Sequence, residues 1–209
     1  MKDEFLITGE GSLGTLLLAH GAGAGMDSPF MDAFAHGLAA RGLKVVRFEF
    51  PYMAKRREDG KKRPPDRAPK LLEHFQSVID QVGGEDPLFI GGKSMGGRMA
   101  SLIAAEKPAG VAGLICLGYP FHAPGKPEKV RTEHFPDIAM PALIVQGERD
   151  PFGGAALLDS LSLPGNIRVA RMPDGDHDLK PRKKSGFTTE ENWQKAMDAV
   201  AGFAGGVSA

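Results

Sequence analysis

The chain has 209 residues, of which 42% are hydrophobic and 25% are charged, as in an ordinary globular protein. This length suits one domain spanning residues 1–209, and a chain of this size buries about 70% of its unfolded surface. Lysine plus arginine and aspartate plus glutamate number 26 each, which disfavours a general polyanion binder and a nucleic-acid partner.

The N-terminal segment and the cysteine content bear on the compartment. The segment MKDEFLITGEG has acidic residues where a secretory signal needs basic ones, and its apolar run is short. No stretch approaches the roughly 18 apolar residues of a membrane span. Cys116, the single cysteine, lies in the apolar run LICLG, as expected of a core residue in a reducing compartment. We therefore expect a cytoplasmic protein with no membrane partner.

Short apolar runs alternate with helical patterns along the chain. Most of the runs are almost continuously hydrophobic, which is typical of strands buried on both faces of a parallel sheet. Residues 5–8 are a further candidate, for an edge strand. The predicted buried strands lie at 15–20 (TLLLAH), 45–50 (VVRFEF), 88–91 (LFIG), 113–117 (GLICL), 142–146 (ALIVQ) and 167–172 (IRVARM).

Helix signals fill the intervals between these strands. Ser28 and Pro29 predict a capped start, and Gly42 an end, for the first helix. Thr188 and Glu191 form a capping box before the last helix. The remaining helices are predicted at 69–81, 94–106 and, as a short piece, 155–161. This alternation predicts a doubly wound α/β domain with a mostly parallel sheet of about six to seven strands flanked by helices. Two segments rich in proline and charge, 55–69 and 118–141, stand apart from it.

The stretch LFIGGKSMGGRMAS, residues 88–101, fits two kinds of site. Gly92, Lys93 and Ser94 could end a phosphate-binding loop, which requires a glycine five positions before its last glycine. That position holds Pro87, which lacks a backbone N–H, and the residues between belong to the predicted strand. The phosphate-loop interpretation therefore fails.

The same stretch also reads G-x-S-x-G, the pattern of a serine nucleophile at a sharp strand-to-helix turn. Side chains at the two flanking positions would clash in such a turn, so Gly92 and Gly96 are required by packing. A predicted strand precedes Ser94 and a predicted helix with small residues follows it. We therefore predict Ser94 to be a catalytic nucleophile, with an ordinary glycine-rich turn as the alternative.

Candidate partners of Ser94 follow in the order nucleophile, acid, histidine. Asp150 comes after the strand at 142–146, and His177 lies in the loop after the next strand. His177 can act as general base, while Asp150 fixes its tautomer and stabilises the imidazolium. Glu148 is the substitute for Asp150, whereas Asp176 and Asp178 are too close to His177 in sequence to reach its ring. Each residue alone could equally be a helix cap or a solvated loop residue.

Two backbone N–H groups are needed to bind an oxyanion. Met95, after the nucleophile and at a helix N-terminus, should supply one. The loop HGAGAG after the first buried strand should supply the other, from Ala22 or else Gly23. A dinucleotide fingerprint fails in this loop because its third glycine is missing in either frame. His20 is expected to be structural.

The whole chain resembles the α/β-hydrolase superfamily, in particular its small, lid-less, dienelactone-hydrolase-like members. Four stretches resemble more closely a branch that includes testis-expressed hydrolase-like proteins and a chromatin-complex subunit. Dienelactone hydrolases use a cysteine nucleophile where this chain has Ser94, so their substrate does not carry over. The resemblance implies a serine-hydrolase scaffold without a cap domain, over roughly residues 13–204. The four stretches are HGAGAGMDSPFM (20–31), FPYM with KKRPPDR (50–67), GGKSMGGRMAS (91–101) and RTEHFPDIAMPALIVQGERDPFG (131–153).

Basic residues cluster in loops that this topology brings to one edge of the sheet. They lie at 55–67, 118–131 and 180–184, and Lys93 precedes the nucleophile. We hypothesise an electropositive rim that steers an anionic substrate, such as a carboxylate, a phosphate or a coenzyme A ester. The alternative is a set of solvated mobile loops. His122 and His134 are expected at the surface or in the core rather than in a pocket.

The sequence thus predicts a serine hydrolase that cleaves a small or medium ester or thioester, with no cofactor and no metal. The competing hypothesis is an interaction or scaffold module that keeps the fold with little or no turnover, and nucleic-acid binding through the basic loops is a third. The partner that we expect is a small-molecule substrate. Nothing in the sequence indicates the oligomeric state.

Overall fold

A computed structural model describes residues 4–84 and 86–208. Its centre is a seven-stranded sheet in the order β1-β3-β2-β4-β5-β6-β7, in which β1 is antiparallel to β3 and all other neighbours are parallel. This is the predicted doubly wound architecture, with β1 as the edge strand. The strands are β1 Leu6–Thr8, β2 Thr15–Ala19, β3 Lys44–Phe48, β4 Leu88–Lys93, β5 Val111–Leu117, β6 Ala142–Gly147 and β7 Ile167–Met172.

In the described ranges, six α-helices connect and flank the strands. The predicted caps are present: the Ser28 hydroxyl accepts from the Met31 N–H, and Thr188 and Glu191 exchange reciprocal bonds. These bonds satisfy N–H groups that a helix start leaves without partners. The helices are α1 Pro29–Ala39, α2 Pro51–Asp59, α3 Ala68–Val82, α4 Met95–Ala105, α5 Ala155–Ser160 and α6 Thr189–Ser208.

Helix α2 is the main departure from the sequence-based elements. It occupies the start of the charged, proline-rich segment, with Pro51 in its first turn and Gly60 ending it in the left-handed region at φ 69°. Only Tyr52 and Met53 of this helix are buried. Its apolar face is too short to give a helical hydrophobic pattern, which is why the sequence does not reveal it.

Two hydrophobic layers enclose the sheet. Along β2, Leu17 and Ala19 pack into one layer, and Leu16 and Leu18 into the other. Residues of α2, α3, α4 and α5 complete the first layer, and residues of α1 and α6 complete the second. Because every residue of β2 is buried, the strand reads as a continuous apolar run.

The order of the strands places the functional loops. The chain passes from β2 to β3 on one side and then to β4 on the other side of β2, so the connections diverge at the carboxyl ends of β2 and β4. Open α/β sheets bind ligands at such a point. Among the described residues, no segment forms a cap domain over this edge, and none of the helices is long and apolar enough to cross a membrane.

Candidate active site

Ser94 stands at the turn between β4 and α4 in a strained backbone conformation, with φ 53° and ψ −116°. Non-glycine residues rarely adopt positive φ, and such strain is concentrated at functional sites. A Cβ at Gly92 would lie 2.6 Å from the backbone of Gly96, and a Cβ at Gly96 would lie 2.5 Å from the Ala19 oxygen. The flanking glycines are therefore required by close packing, as the sequence predicts.

The structure brings Ser94, His177 and Asp150 together, although 83 positions separate the first two. The Ser94 Oγ lies 2.8 Å from His177 Nε2, and His177 Nδ1 lies 2.8 Å from Asp150 Oδ2. Since the carboxylate can only accept, Nδ1 carries the proton and Nε2 is free to accept from the serine. This arrangement can activate the serine hydroxyl as a nucleophile.

Asp150 is held by groups other than His177. It is 3% exposed, the Phe152 N–H donates to its Oδ1 at 2.8 Å, and Gln146 Nε2 donates to its Oδ2 at 2.9 Å. The Phe152 ring also stands edge-on to His177, with 4.7 Å between the ring centroids. These contacts fix both the carboxylate and the imidazole.

Gln146 is a site residue that the sequence analysis missed. Its side chain is fully buried at the end of β6, where Oε1 accepts from the Tyr119 N–H and Nε2 donates to the Tyr119 oxygen. The amide therefore connects the loop after β5 with Asp150. The one available signal was a lone polar residue at the end of the run ALIVQ, because a buried amide requires partners.

The other carboxylates considered for the acid role have different partners. Glu148 Oε2 accepts from the Asp174 N–H, and Asp176 Oδ1 accepts from the N–H groups of Asp178 and Lys180. Asp176 and Asp178 thus shape the loop that carries His177. Asp150 alone among these carboxylates lies at hydrogen-bond distance from the imidazole.

A family model described as an alpha/beta hydrolase domain matches residues 13–205. This chain belongs to the α/β-hydrolase family. It is similar to a putative protein-lysine deacylase, ABHD14B of Pongo abelii, with 28% identity over 164 residues that cover 78% of this chain and 74% of the relative. The family expected from the sequence motifs is therefore confirmed.

Solved structures resemble this α/β hydrolase over almost its entire length. An alpha-beta serine hydrolase homologue from Coxiella burnetii has a TM-score of 0.67 at 22% identity, covering 99% of this chain and 92% of that one. A dienelactone hydrolase from Anabaena variabilis has a TM-score of 0.71 at 22% identity, covering 99% and 90%. These likenesses support the fold.

The glycine-rich loop of this α/β hydrolase is held by His20 and Tyr52. The Phe50 N–H donates to His20 Nε2 at 3.1 Å, so the proton is on Nδ1, which donates to the Gly21 oxygen at 2.6 Å. Burial lowers the pKa of His20, which favours this neutral form. The Tyr52 hydroxyl lies 3.3 Å from the Gly21 oxygen and 3.0 Å from the Ala22 oxygen. His20 is structural, as expected, and orients this loop.

Lys93 does not belong to the solvent-facing rim that the sequence predicts. Its ammonium group lies 2.6 Å from the His177 carbonyl oxygen, 3.4 Å from Asp178 and 5.3 Å from the centre of the Phe30 ring. Burial lowers the pKa of Lys93, and the nearby Asp178 partly opposes this shift. The side chain is directed inward, against the loop of His177.

Several other cations predicted at the mouth are paired with carboxylates. Arg57 binds Glu49 and Asp27, and Arg63 binds Asp59. In the loop after β7, Arg182 binds Asp174 and Lys180 lies near Asp178 and Trp193. These four cations of the basic segments are therefore neutralised locally.

The remaining candidates lie outside the chain of hydrogen bonds from Ser94 to Asp150. Cys116 is buried in the core as predicted, and burial raises the pKa of its thiol. His134 is also buried, with Nε2 2.8 Å from Ser101 Oγ, and His122 is buried beside Phe152. Within the described ranges, no three side chains of His, Cys, Asp or Glu are grouped so as to hold a metal ion.

Proposed function

We propose that this α/β hydrolase is a serine hydrolase that cleaves a small or medium carboxylic ester or thioester through an acyl-enzyme on Ser94. The observation that carries the proposal is the pair of 2.8 Å contacts that join Ser94 Oγ, His177 and the buried Asp150. A serine on the surface has no such base, and its hydroxyl is a weak nucleophile.

In the first step the Ser94 Oγ attacks the substrate carbonyl carbon, and His177 Nε2 takes the hydroxyl proton. The tetrahedral intermediate then collapses as His177 gives that proton to the leaving alcohol or thiol. Water attacks the acyl-serine in the second half, with His177 again as base, and releases the acid and free Ser94. Asp150 remains ionised and stabilises the imidazolium in both halves.

The proposed oxyanion donors are the N–H groups of Met95 and Ala22. Met95 is the first residue of α4, where N–H groups have no partner within the helix and the helix dipole favours negative charge. In a trans peptide the N–H points away from the carbonyl. Because His20 and Tyr52 bind the Gly21 oxygen, the N–H of Ala22 is directed away from them. Gly23 is the alternative donor.

Reaction with a fluorophosphonate probe tests the proposal, because such a probe requires an activated serine. The wild type should be labelled and Ser94→Ala should not, while Ser160→Ala, which changes an exposed serine at the end of α5, should be labelled like the wild type. Turnover of nitrophenyl esters and acyl-coenzyme A thioesters of increasing chain length should fall by several orders of magnitude in Ser94→Ala.

The outcome also separates the proposal from a scaffold role. In one outcome, the wild-type protein is folded and yet neither reacts with the probe nor hydrolyses any member of the panel. That outcome would indicate an interaction module with the hydrolase fold. The panel should include an Nε-acyl-lysine peptide, since the relative from Pongo abelii is named as a putative protein-lysine deacylase. A salt-dependent gel shift tests the nucleic-acid hypothesis.

A further inference from the structure

Arg98 lies one helical turn beyond the proposed nucleophile. Its backbone N–H donates to the Ser94 oxygen at 3.0 Å, so the residue belongs to the first turn of α4. The side chain is half-buried, and its Nε is buried with no hydrogen-bond partner. A buried donor without a partner costs free energy and is unusual in a native protein.

Arg131 approaches from the loop that follows β5. Its N–H donates to the Phe121 oxygen at 2.6 Å, and its own carbonyl accepts from the Tyr119 hydroxyl at 2.8 Å. Phe121 and Tyr119 are fully buried, so the backbone of Arg131 is firmly held. The loop leaves β5 at Gly118, where an added Cβ would lie 2.8 Å from the His177 oxygen. The loop of Arg131 therefore starts beside the proposed base.

Hydrogen bonds connect the segments that carry the two arginines. The Ser101 hydroxyl donates to the Arg98 oxygen at 2.8 Å and lies 2.8 Å from Nε2 of His134, three residues after Arg131. Burial, and after it the positive charge of Arg98, lowers the pKa of the Arg131 guanidinium. Burial, and to a smaller extent Arg98, also lowers the pKa of His134, which favours the neutral imidazole, so this histidine adds no further positive charge. Glu133 is the acidic residue that raises the pKa of both Arg131 and His134, and it is exposed.

Neither arginine has a counterion within the described part of the chain. No carboxylate lies within 4.0 Å of Arg98 or Arg131, Glu133 included, whereas Arg57, Arg63 and Arg182 each have such a partner. Two neighbouring, partly desolvated guanidinium groups without an anion are unfavourable for folding alone. A carboxylate or a phosphate would satisfy both the charge and the free donors, since guanidinium groups bind these anions with two parallel hydrogen bonds.

We infer that Arg98 and Arg131 form a subsite for an anionic group of the substrate, a carboxylate or a phosphate, next to Ser94. The inference rests on the proposed hydrolase function and narrows its substrate to acidic esters or thioesters. It assigns the recognition of charge to two residues in place of the broad basic rim, in which Arg57, Arg63, Lys180 and Arg182 already have carboxylate partners.

The direct test compares mono(4-nitrophenyl) succinate, which carries a free carboxylate, with its neutral methyl ester. We expect kcat/KM of the wild type to favour the acidic ester about tenfold or more. Arg98→Gln or Arg131→Gln should reduce this preference about tenfold, which is within the effect of losing a charge-assisted hydrogen bond. Arg98→Lys should keep part of the preference, and Lys129→Gln, an exposed cation of the same loop, should change it less than twofold.

A binding experiment without turnover separates this inference from the proposed function. Succinate or inorganic phosphate should raise the Tm of the Ser94→Ala protein, and the effect should disappear in Ser94→Ala/Arg98→Gln. The ion that raises the Tm more at equal concentration identifies the class of anion that the subsite binds. Protection by either ion, together with a wild-type protein that shows no esterase activity, would sink the hydrolase proposal and keep the subsite. No preference for the acidic ester together with no protection, or an equal loss on both esters in the arginine variants, would overturn the subsite.

Discussion

The ammonium group of Lys93 donates a hydrogen bond of 2.6 Å to the backbone carbonyl oxygen of His177. This bond joins the last residue of β4, which precedes the proposed nucleophile, to the loop that carries the proposed base. The Lys93 side chain is 8% exposed, and the loop is also held by Trp193, whose Nε1 donates to the Asp178 oxygen at 2.9 Å. Lys93 is thus a positioning residue for His177.

Lys93→Met should therefore reduce the rate of acylation. Without the ammonium group the loop can shift, and a displacement of about 1 Å at a reacting group costs roughly a hundredfold in rate. We expect kcat and the rate of fluorophosphonate labelling to fall about tenfold to a hundredfold, with KM little changed. Lys180→Met is the matched control, because Lys180 also lies near Asp178, at 3.9 Å, but is half-exposed. Unchanged labelling in folded Lys93→Met protein would show that His177 is positioned without this bond.

Gly118→Ala should disturb the same contact directly. A methyl group there would lie 2.8 Å from the His177 oxygen and 3.2 Å from Lys93 Nζ, at a φ of 64°. The matched variant is Gly110→Ala, which has a φ of 77° and nothing within 4 Å of the added Cβ. Both variants carry the backbone penalty of about 1–2 kcal/mol for a side chain in the left-handed region. Urea unfolding should therefore show a loss of stability in both variants, whereas kcat/KM should fall only in Gly118→Ala. An equal kcat/KM in the two variants would contradict the clash.

Gln146→Leu should destabilise the protein and misplace the acid. The substitution removes the donor to Asp150 and both hydrogen bonds to the Tyr119 backbone, all in a fully buried site. We expect a loss of about 2–4 kcal/mol in the free energy of unfolding, together with a lower kcat. Gln76→Leu provides the control, since that amide also donates to a carboxylate, Asp80 at 2.9 Å, on the exposed surface. A Gln146→Leu protein as stable as the control would refute this role.

The buried histidines predict how stability depends on pH. Burial lowers the pKa of His20 and of His134 below the value of about 6.5 expected in the unfolded chain. The unfolded state therefore binds more protons than the folded state once the pH drops below that value. The contribution of these histidines to stability is fully present above about pH 7. It decreases as the pH falls from there toward their lowered pKa values in the folded state.

Urea unfolding between pH 7.5 and 5.5 measures this effect. The carboxyl groups with lowered pKa, such as Asp27 and Glu191, lose their stabilising effect only at lower pH. The change in stability between pH 7.5 and 5.5 is therefore due to the histidines. His134→Gln should flatten the dependence, because it removes one of the two groups. His36→Gln, which changes an exposed histidine in α1, should leave the slope as in the wild type. A stability that does not change with pH across the window would contradict the prediction.

The sequence revealed those parts of the molecule that depend on local pattern and on strand order. Buried strands read as apolar runs, and Ser94, Asp150 and His177 each follow such a run, so parallel pairing was sufficient to bring them to one edge. Their role as a catalytic set stays a prediction until the labelling experiment is performed.

Side-chain direction and long-range pairing could not be read from the sequence. Lys93 bonds to a carbonyl 84 positions away, and Arg57 bonds to Asp27 at a separation of 30, so neither partner is visible in the local pattern. A lysine before a nucleophile and a run of arginines are equally compatible with solvent exposure or pairing. The tertiary structure decides between them, because a buried charge is tolerated only where partners exist.

The burial of Cys116 makes the wild-type protein a convenient starting point for site-specific labelling. Its thiol is the only one in the chain, it is 0% exposed, and its raised pKa disfavours the reactive thiolate. A cysteine introduced at the exposed position of Lys129 would then be the single thiol open to a maleimide dye. Such a fluorophore would report the movement of the loop after β5 when an ester or an anion binds, without any background mutation.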